Sequence, residues 1–148
     1  MNAFQLVGLI PVGALFGNEL ATLLVHTALF ELPDDEHLAA EQAIHRILGK
    51  VMPVYMVVAV AGAVALTIGA EGTGATGLAV LATGCLVAML VITLAGNVPI
   101  NKETMRLGPG VDADLWQGLR RQWTNLHVMR VALDGAAFVL ACLSIATS

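Results

Sequence analysis

The chain has 148 residues, of which 57% are hydrophobic and only 12% charged, with a formal net charge of −4 and a mean hydropathy of +0.81. That length is one domain's worth, and the composition is too apolar for a soluble globule of this size. The charge is weakly acidic and no block of lysine or arginine occurs, which gives no support to a nucleic-acid partner.

Four apolar runs are long enough to cross a hydrocarbon layer, which takes about 20 residues each. They predict an all-α integral membrane four-helix bundle, one domain over residues 1–148. The first run, residues 4–28, lacks the basic n-region of a secretory signal and is expected to be a retained span. Its Gly13-x-x-x-Gly17 suits close helix packing. Glu19, Thr22 and His26 share one of its faces. A carboxylate within a span is rare and needs a partner, a proton or a metal, so Glu19 is a candidate site residue.

Pro33 is expected to end span 1, with Asp34 or Asp35 capping a helix that continues through His45, Arg46 and Lys50 into span 2, residues 51–70. His37 reads as a solvated histidine of the acidic connection. Residues 70–77 form a Gly/Thr turn, and span 3 follows over residues 75–96. Pro99 is expected to stop that helix. Asn97 and Asn101 then stand at its end, free to bond carbonyls or a ligand. After Gly108-Pro-Gly110, residues 112–123 predict an amphipathic helix capped by Asp112 or Asp114, with Leu115, Leu119 and Trp123 on one side. Anchoring at the membrane interface is the plain reading of Trp116, Arg120 and Arg121. Span 4 covers residues 124–146. Cys85 and Cys142 lie within spans at depths too different for a disulfide and are expected to be free, buried thiols.

Arg46, Lys50, Lys102, Arg106, Arg120, Arg121 and Arg130 all fall in the connections between spans 1 and 2 or 3 and 4, or at the helix ends beside them. The positive-inside rule therefore places both long connections in the cytoplasm and both termini outside a plasma (inner) membrane. His26, His45, Asn97, Asn101, His127 and Arg130 then gather at the cytoplasmic ends of their spans, with Glu19 and Asp134 deeper, forming a polar cup. Trp123, His127, Arg130 and Asp134 share one helix face at spacings of four, three and four.

Arg130 has a structural use as well as a functional one, pairing with Asp134 one turn away or with Glu19 across the bundle. His26, His45, His127 and Glu19 form a candidate metal set of imidazoles and a carboxylate, suited to copper, iron or zinc. No HxxxH, ExxH or CxxC spacing reinforces that set. No Walker motif occurs, and Gly72-x-Gly74-x-x-Gly77 lies in the turn between two apolar spans rather than after a strand, so a nucleotide cofactor finds no support. A transporter would need more machinery than four spans without a repeat, unless the chain forms an oligomer.

Asn97-x-Pro99-x-Asn101 closing span 3, then Trp116, Arg120 or Arg121, Trp123, His127 and Arg130 leading into span 4, resembles the anthrone oxygenase family of small four-span proteins. The likeness spans essentially the whole chain and is most specific from Gly96 to Arg130. It implies oxidation of a hydrophobic polycyclic phenolic substrate, anthrone to anthraquinone, with dioxygen as co-substrate, and does not settle whether a metal is needed. In such chemistry His127, or alternatively His26 or Glu19, would remove the methylene proton. Arg130, Asn97 and Asn101 would stabilise the enolate oxygen. Trp116, Trp123 and Asp134 complete the candidate substrate contacts. The rival reading is a non-enzymatic membrane binding or scaffold protein whose buried polar groups only lock the bundle.

Overall fold

The computed structural model describes residues 2–148, and its regular elements are all helical. They are α1 (Ala3–Leu29), α2 (Asp34–Gly69), α3 (Thr73–Ile92), a π-helical turn (Thr93–Asn97), α4 (Val98–Thr104) and α5 (Ala113–Ala146). Four helical rods result, because α3, the π turn and α4 run on as one, and all four are long and apolar enough to cross a membrane. This is a membrane protein built as a four-helix bundle. Each rod packs on two neighbours, in the cyclic order α1, α2, α3, α5.

The bundle is apolar outside and small-residue-rich inside. Val7, Ile10, Val57, Ile68 and Leu81 face outward, while Ala59, Ala63, Ala79, Ala82, Ala137 and Ala141 fill the centre with Leu15, Leu66 and Leu86. Helices in lipid gain nothing from hiding leucine, so close backbone approach takes over as the packing force. The tightest approach joins α1 and α2, where a Cβ on Gly8 would stand 2.5 Å from the Gly62 carbonyl oxygen. Gly13 packs on Phe138, but Gly17 meets nothing within 4 Å. The expected Gly13/Gly17 contact therefore involves only its first glycine, and the true crossing point is Gly8 against Gly62.

Three expectations change at the connections. Pro99 does not stop its helix. A proline inside a helix lacks the amide hydrogen and crowds the carbonyl four residues back. The chain absorbs this by widening one turn, in which Val98 N–H reaches the Thr93 carbonyl, five residues back. The amphipathic stretch is continuous with span 4 within α5, Asp112 caps its start by accepting from Leu115 N–H, and Leu115 points outward. At α2, the cap position is Pro33 itself. Asp34 is instead taken by Arg120 (3.2 Å), and Asp35 accepts from Gly110 N–H (3.1 Å).

At about 1.5 Å per residue the 36 residues of α2 exceed a hydrocarbon layer of about 30 Å. Its first turns, up to about residue 50, therefore project beyond the apolar span, beside α4 and the start of α5. Gln42 ties this end together, donating to the carbonyls of Thr104 and Leu107 at 2.9 Å each. The free thiols Cys85 and Cys142 are only partly buried.

Candidate functional site

Two tiers of buried polar side chains lie at this end of the bundle, with Trp123 between them. The deeper tier is built on Glu19 of α1, which is fully buried. Arg130 of α5 donates to its Oε1. His127, one turn before Arg130, places Nε2 3.1 Å from the Glu19 backbone carbonyl and Nδ1 3.3 Å from Glu19 Oε2. Arg130 thus pairs across the bundle with Glu19, and the alternative Arg130–Asp134 pair does not form. Asp134 is buried with neither carboxylate oxygen bonded to any described residue.

The outer tier is built on Glu41 of α2. His37, Glu41 and His45 recur every fourth residue and so lie along one helix face. Glu41 Oε1 lies 2.6 Å from His26 Nδ1 of α1 and 3.1 Å from His37 Nε2, while Oε2 lies 3.9 Å from His45 Nδ1. His37 is 1% exposed, wedged edge-on against Phe30 and Trp116, so the solvated histidine expected there is a core residue. Acidic neighbours in sequence suggested water, but the turn folds its imidazole back under α5. Trp116 is likewise buried, and Arg120 lies 4.3 Å over the Phe30 ring while pairing with Asp34. Both side chains are turned into the protein, whereas Arg121 is exposed.

The ionisation of this outer tier follows from its partners. Burial raises the Glu41 carboxyl, but hydrogen bonding from His26 and His37 outweighs it and holds the group below its ordinary 4.5. His37 is lowered from 6.5, chiefly by burial. Glu41 is therefore the carboxylate and His37 the neutral imidazole. An ionised carboxylate oxygen only accepts, so His26 Nδ1 and His37 Nε2 are the donors.

Trp123 joins the tiers. Its indole packs at 4.2 Å on His26 and 4.7 Å on His127, and its Nε1–H donates to Asn101 Oδ1 at 2.7 Å. Asn97 donates to the Trp123 carbonyl at 3.3 Å. The two asparagines expected at a helix end instead reach α5 from the last residue of the π turn and from α4.

Beside Trp123 lies a half-open cavity of about 80 Å³, walled by Glu19, Thr22, His26, His45, Asn97, Asn101, Trp123, His127 and Arg130, with Met52, Pro53 and Met56 as its apolar side. Two grooves share part of its wall. One of about 290 Å³ runs between α1 and α2 past Thr22, Val25, Ile44 and Ile47. The other, of about 440 Å³, passes between α2 and α4 by Lys102 and Arg106. The wall brings together seven of the residues singled out from sequence: His26, His45, His127, Glu19, Arg130, Asn97 and Asn101. Trp123 joins them there, while Trp116 and Asp134 lie off it.

Glu41 was not among the sequence candidates. Its signal was available in the H-x-x-x-E-x-x-x-H stripe of residues 37–45, a spacing that places three titratable groups on one face. As for the candidate metal set, His127 is turned to Glu19 and His26 to Glu41. Among the described residues no group of three or more His, Cys, Asp or Glu side chains is arranged to hold a metal ion.

Residues 37–140 match the family model described as anthrone oxygenase, well over half of the chain. The chain belongs to the anthrone oxygenase family. The match takes in α2 to α4 and most of α5, and α1 with Glu19 and His26 precedes it. Comparison with curated proteins and with solved structures finds no match.

Proposed function

We propose that this protein is a membrane-embedded oxygenase that converts a hydrophobic polycyclic phenol of the anthrone type to its quinone with dioxygen. The observation that supports it is the cavity wall. In a chain of this family, an imidazole, a guanidinium and a carboxamide face one apolar-sided space. Together these groups can remove a proton and hold the resulting oxyanion.

An anthrone methylene is acidic because its carbanion is an aromatic enolate. A base on the wall takes that proton. Arg130 and Asn101, both on the cavity wall, stabilise the enolate oxygen. The enolate passes an electron to dioxygen, the two radicals combine at the former methylene carbon, and a hydroperoxide results. Loss of water from it leaves the quinone carbonyl. One oxygen atom enters the product, the other leaves as water, and no external reductant is consumed. A pocket for a drug-sized ligand holds roughly 300–1,000 Å³. The cavity itself is smaller, so the reacting ring enters it and the remaining rings lie in the α1–α2 groove. By the distribution of basic residues the cavity opens to the cytoplasmic side of a plasma (inner) membrane, with both termini outside.

Oxygen uptake by purified protein in bilayer nanodiscs with an anthrone tests the reading. One dioxygen consumed per quinone, above the spontaneous rate, is the expected result. No acceleration would leave the binding or scaffold role. Copper or iron present at one per chain and lost in the His26→Ala/His45→Ala/His127→Ala variant would make the reaction metal-dependent.

A further inference from the structure

We propose that Glu41 is a positioning residue that fixes His26 as the base of the cavity, with the His26 Nε2 lone pair as the proton acceptor. The base role rests on the oxygenase reading above; the tautomer does not.

The argument is a comparison of ring nitrogens. His127, the histidine favoured by sequence, has both nitrogens turned to Glu19: Nε2 faces a backbone carbonyl, which only accepts, so Nε2 carries hydrogen. Its Nδ1 is buried against the Glu19 carboxyl. Neither can reach a substrate without breaking the deeper tier. His37 gives Nε2–H to Glu41, and its Nδ1 is buried without a partner among the described residues. His45 stands 3.9 Å from Glu41, too far for a hydrogen bond to fix its tautomer.

His26 differs on each point. Its Nδ1 is held by Glu41 at 2.6 Å and must donate. Its Nε2 has no partner among the described residues and is not sealed off, and the ring lines both the cavity and the α1–α2 groove. The ring lies 4.2 Å from the Trp123 indole, which limits its rotation. A carboxylate behind one imidazole nitrogen sets the tautomer and strengthens the basicity of the other. The second hydrogen bond to Glu41, from His37, keeps that carboxylate aimed at His26 from another turn of α2.

The test is nitrogen-15 spectroscopy of histidine-labelled full-length protein in nanodiscs at neutral pH, with the His26 signals assigned through His26→Gln. His26 should be neutral with hydrogen on Nδ1 and none on Nε2. In Glu41→Gln the Nε2–H form should gain population, and kcat for anthrone oxidation should fall about 10–100-fold with KM little changed. Hydrogen on Nε2 in the wild type, in either a neutral or a doubly protonated ring, overturns the proposal whether or not any variant folds. So does a Glu41→Gln protein with tautomer and kcat unchanged. The expected tautomer in a wild type that never oxidises an anthrone would instead overturn the oxygenase reading, leaving the Glu41–His26 pair as found.

Discussion

Glu19 and Glu41 are both buried, both touch histidine, and stand on adjacent helices, yet their surroundings differ in kind. Glu19 lies within a span and meets an arginine, a permanent cation that cannot give up its charge. Glu41 lies beyond the apolar span and meets imidazoles, which can be charged or neutral. The first arrangement locks α1 to α5 through Arg130 Nη2 and His127 Nε2. The second leaves one imidazole nitrogen, Nε2 of His26, without a partner among the described residues. A carboxylate paired with guanidinium is suited to holding a bundle together, and one paired with imidazole is suited to moving protons.

The largest effect should come from removing the deeper cation. Arg130→Met strands a buried carboxylate and should cost about 3–5 kcal/mol, read as denaturant unfolding in detergent. Adding Glu19→Gln should restore most of it, since the uncompensated charge is then gone. Glu41→Gln keeps an acceptor beside His26 and should cost only about 1–3 kcal/mol. Equal costs for Arg130→Met and Glu41→Gln would erase the distinction between the tiers.

Activity should divide the other way. His26→Ala is expected to lower kcat of the folded fraction for anthrone oxidation by about 10²–10⁴-fold, the usual range for loss of a general base, at a stability cost of about 1–3 kcal/mol for its lost bond to Glu41. His127→Ala should lower stability by about 1–3 kcal/mol through its lost bond to the Glu19 carbonyl, while the folded fraction keeps kcat within about tenfold. The reverse pattern would return the base to His127.

Why the deeper tier was legible in the sequence and the outer one was not follows from what each costs. A glutamate or arginine inside an apolar run is conspicuous because burying it is expensive, so Glu19 and Arg130 identify themselves. The bundle, its four spans and the gathering of polar groups at one end follow from the same rule. Glu41 sits among Asp34, Asp35, Glu36 and Arg46, where a carboxylate looks like solvated surface. Only the fold reveals that this turn of α2 tucks beneath Trp116. The π turn was also hidden, because a proline near a helix end reads as a stop unless tertiary contacts, here Asn97 and Asn101 to Trp123, hold the chain helical beyond it. The engagement of His127 with Glu19 was hidden for a related reason. Spacing places a ring on a face and says nothing of which nitrogen is already engaged.

Trp123 couples the tiers, so trimming it should show smaller effects on both. Trp123→Phe keeps an aromatic ring against His26 and His127 but loses the 2.7 Å bond to Asn101. A stability loss of about 1 kcal/mol is expected, together with a several-fold rise in KM as Asn101 turns away. An effect on kcat as large as that of His26→Ala would mean that the indole itself takes part in the reaction.

The smallest effect is a slope. His37 is held below its ordinary 6.5, first by burial and also by the nearby Arg120, against the pull of Glu41. As pH falls through 6.5 the unfolded chain takes up a proton there that the folded protein refuses, so stability declines on the acid side and is flat above it. His45, lowered mainly by burial, acts with the same sign. The depressed Glu41 adds its own loss only below 4.5, where the unfolded carboxylate is protonated first. Thermal unfolding of His37→Gln in detergent between roughly pH 7.5 and 5 should therefore show a shallower acid-side slope than the wild type, with His45 supplying what remains. An unchanged slope would mean that His37 is protonated in the folded state as readily as in the unfolded chain. The outer tier would then carry one more positive charge, and the proton of His26 could no longer be assigned by counting donors around Glu41.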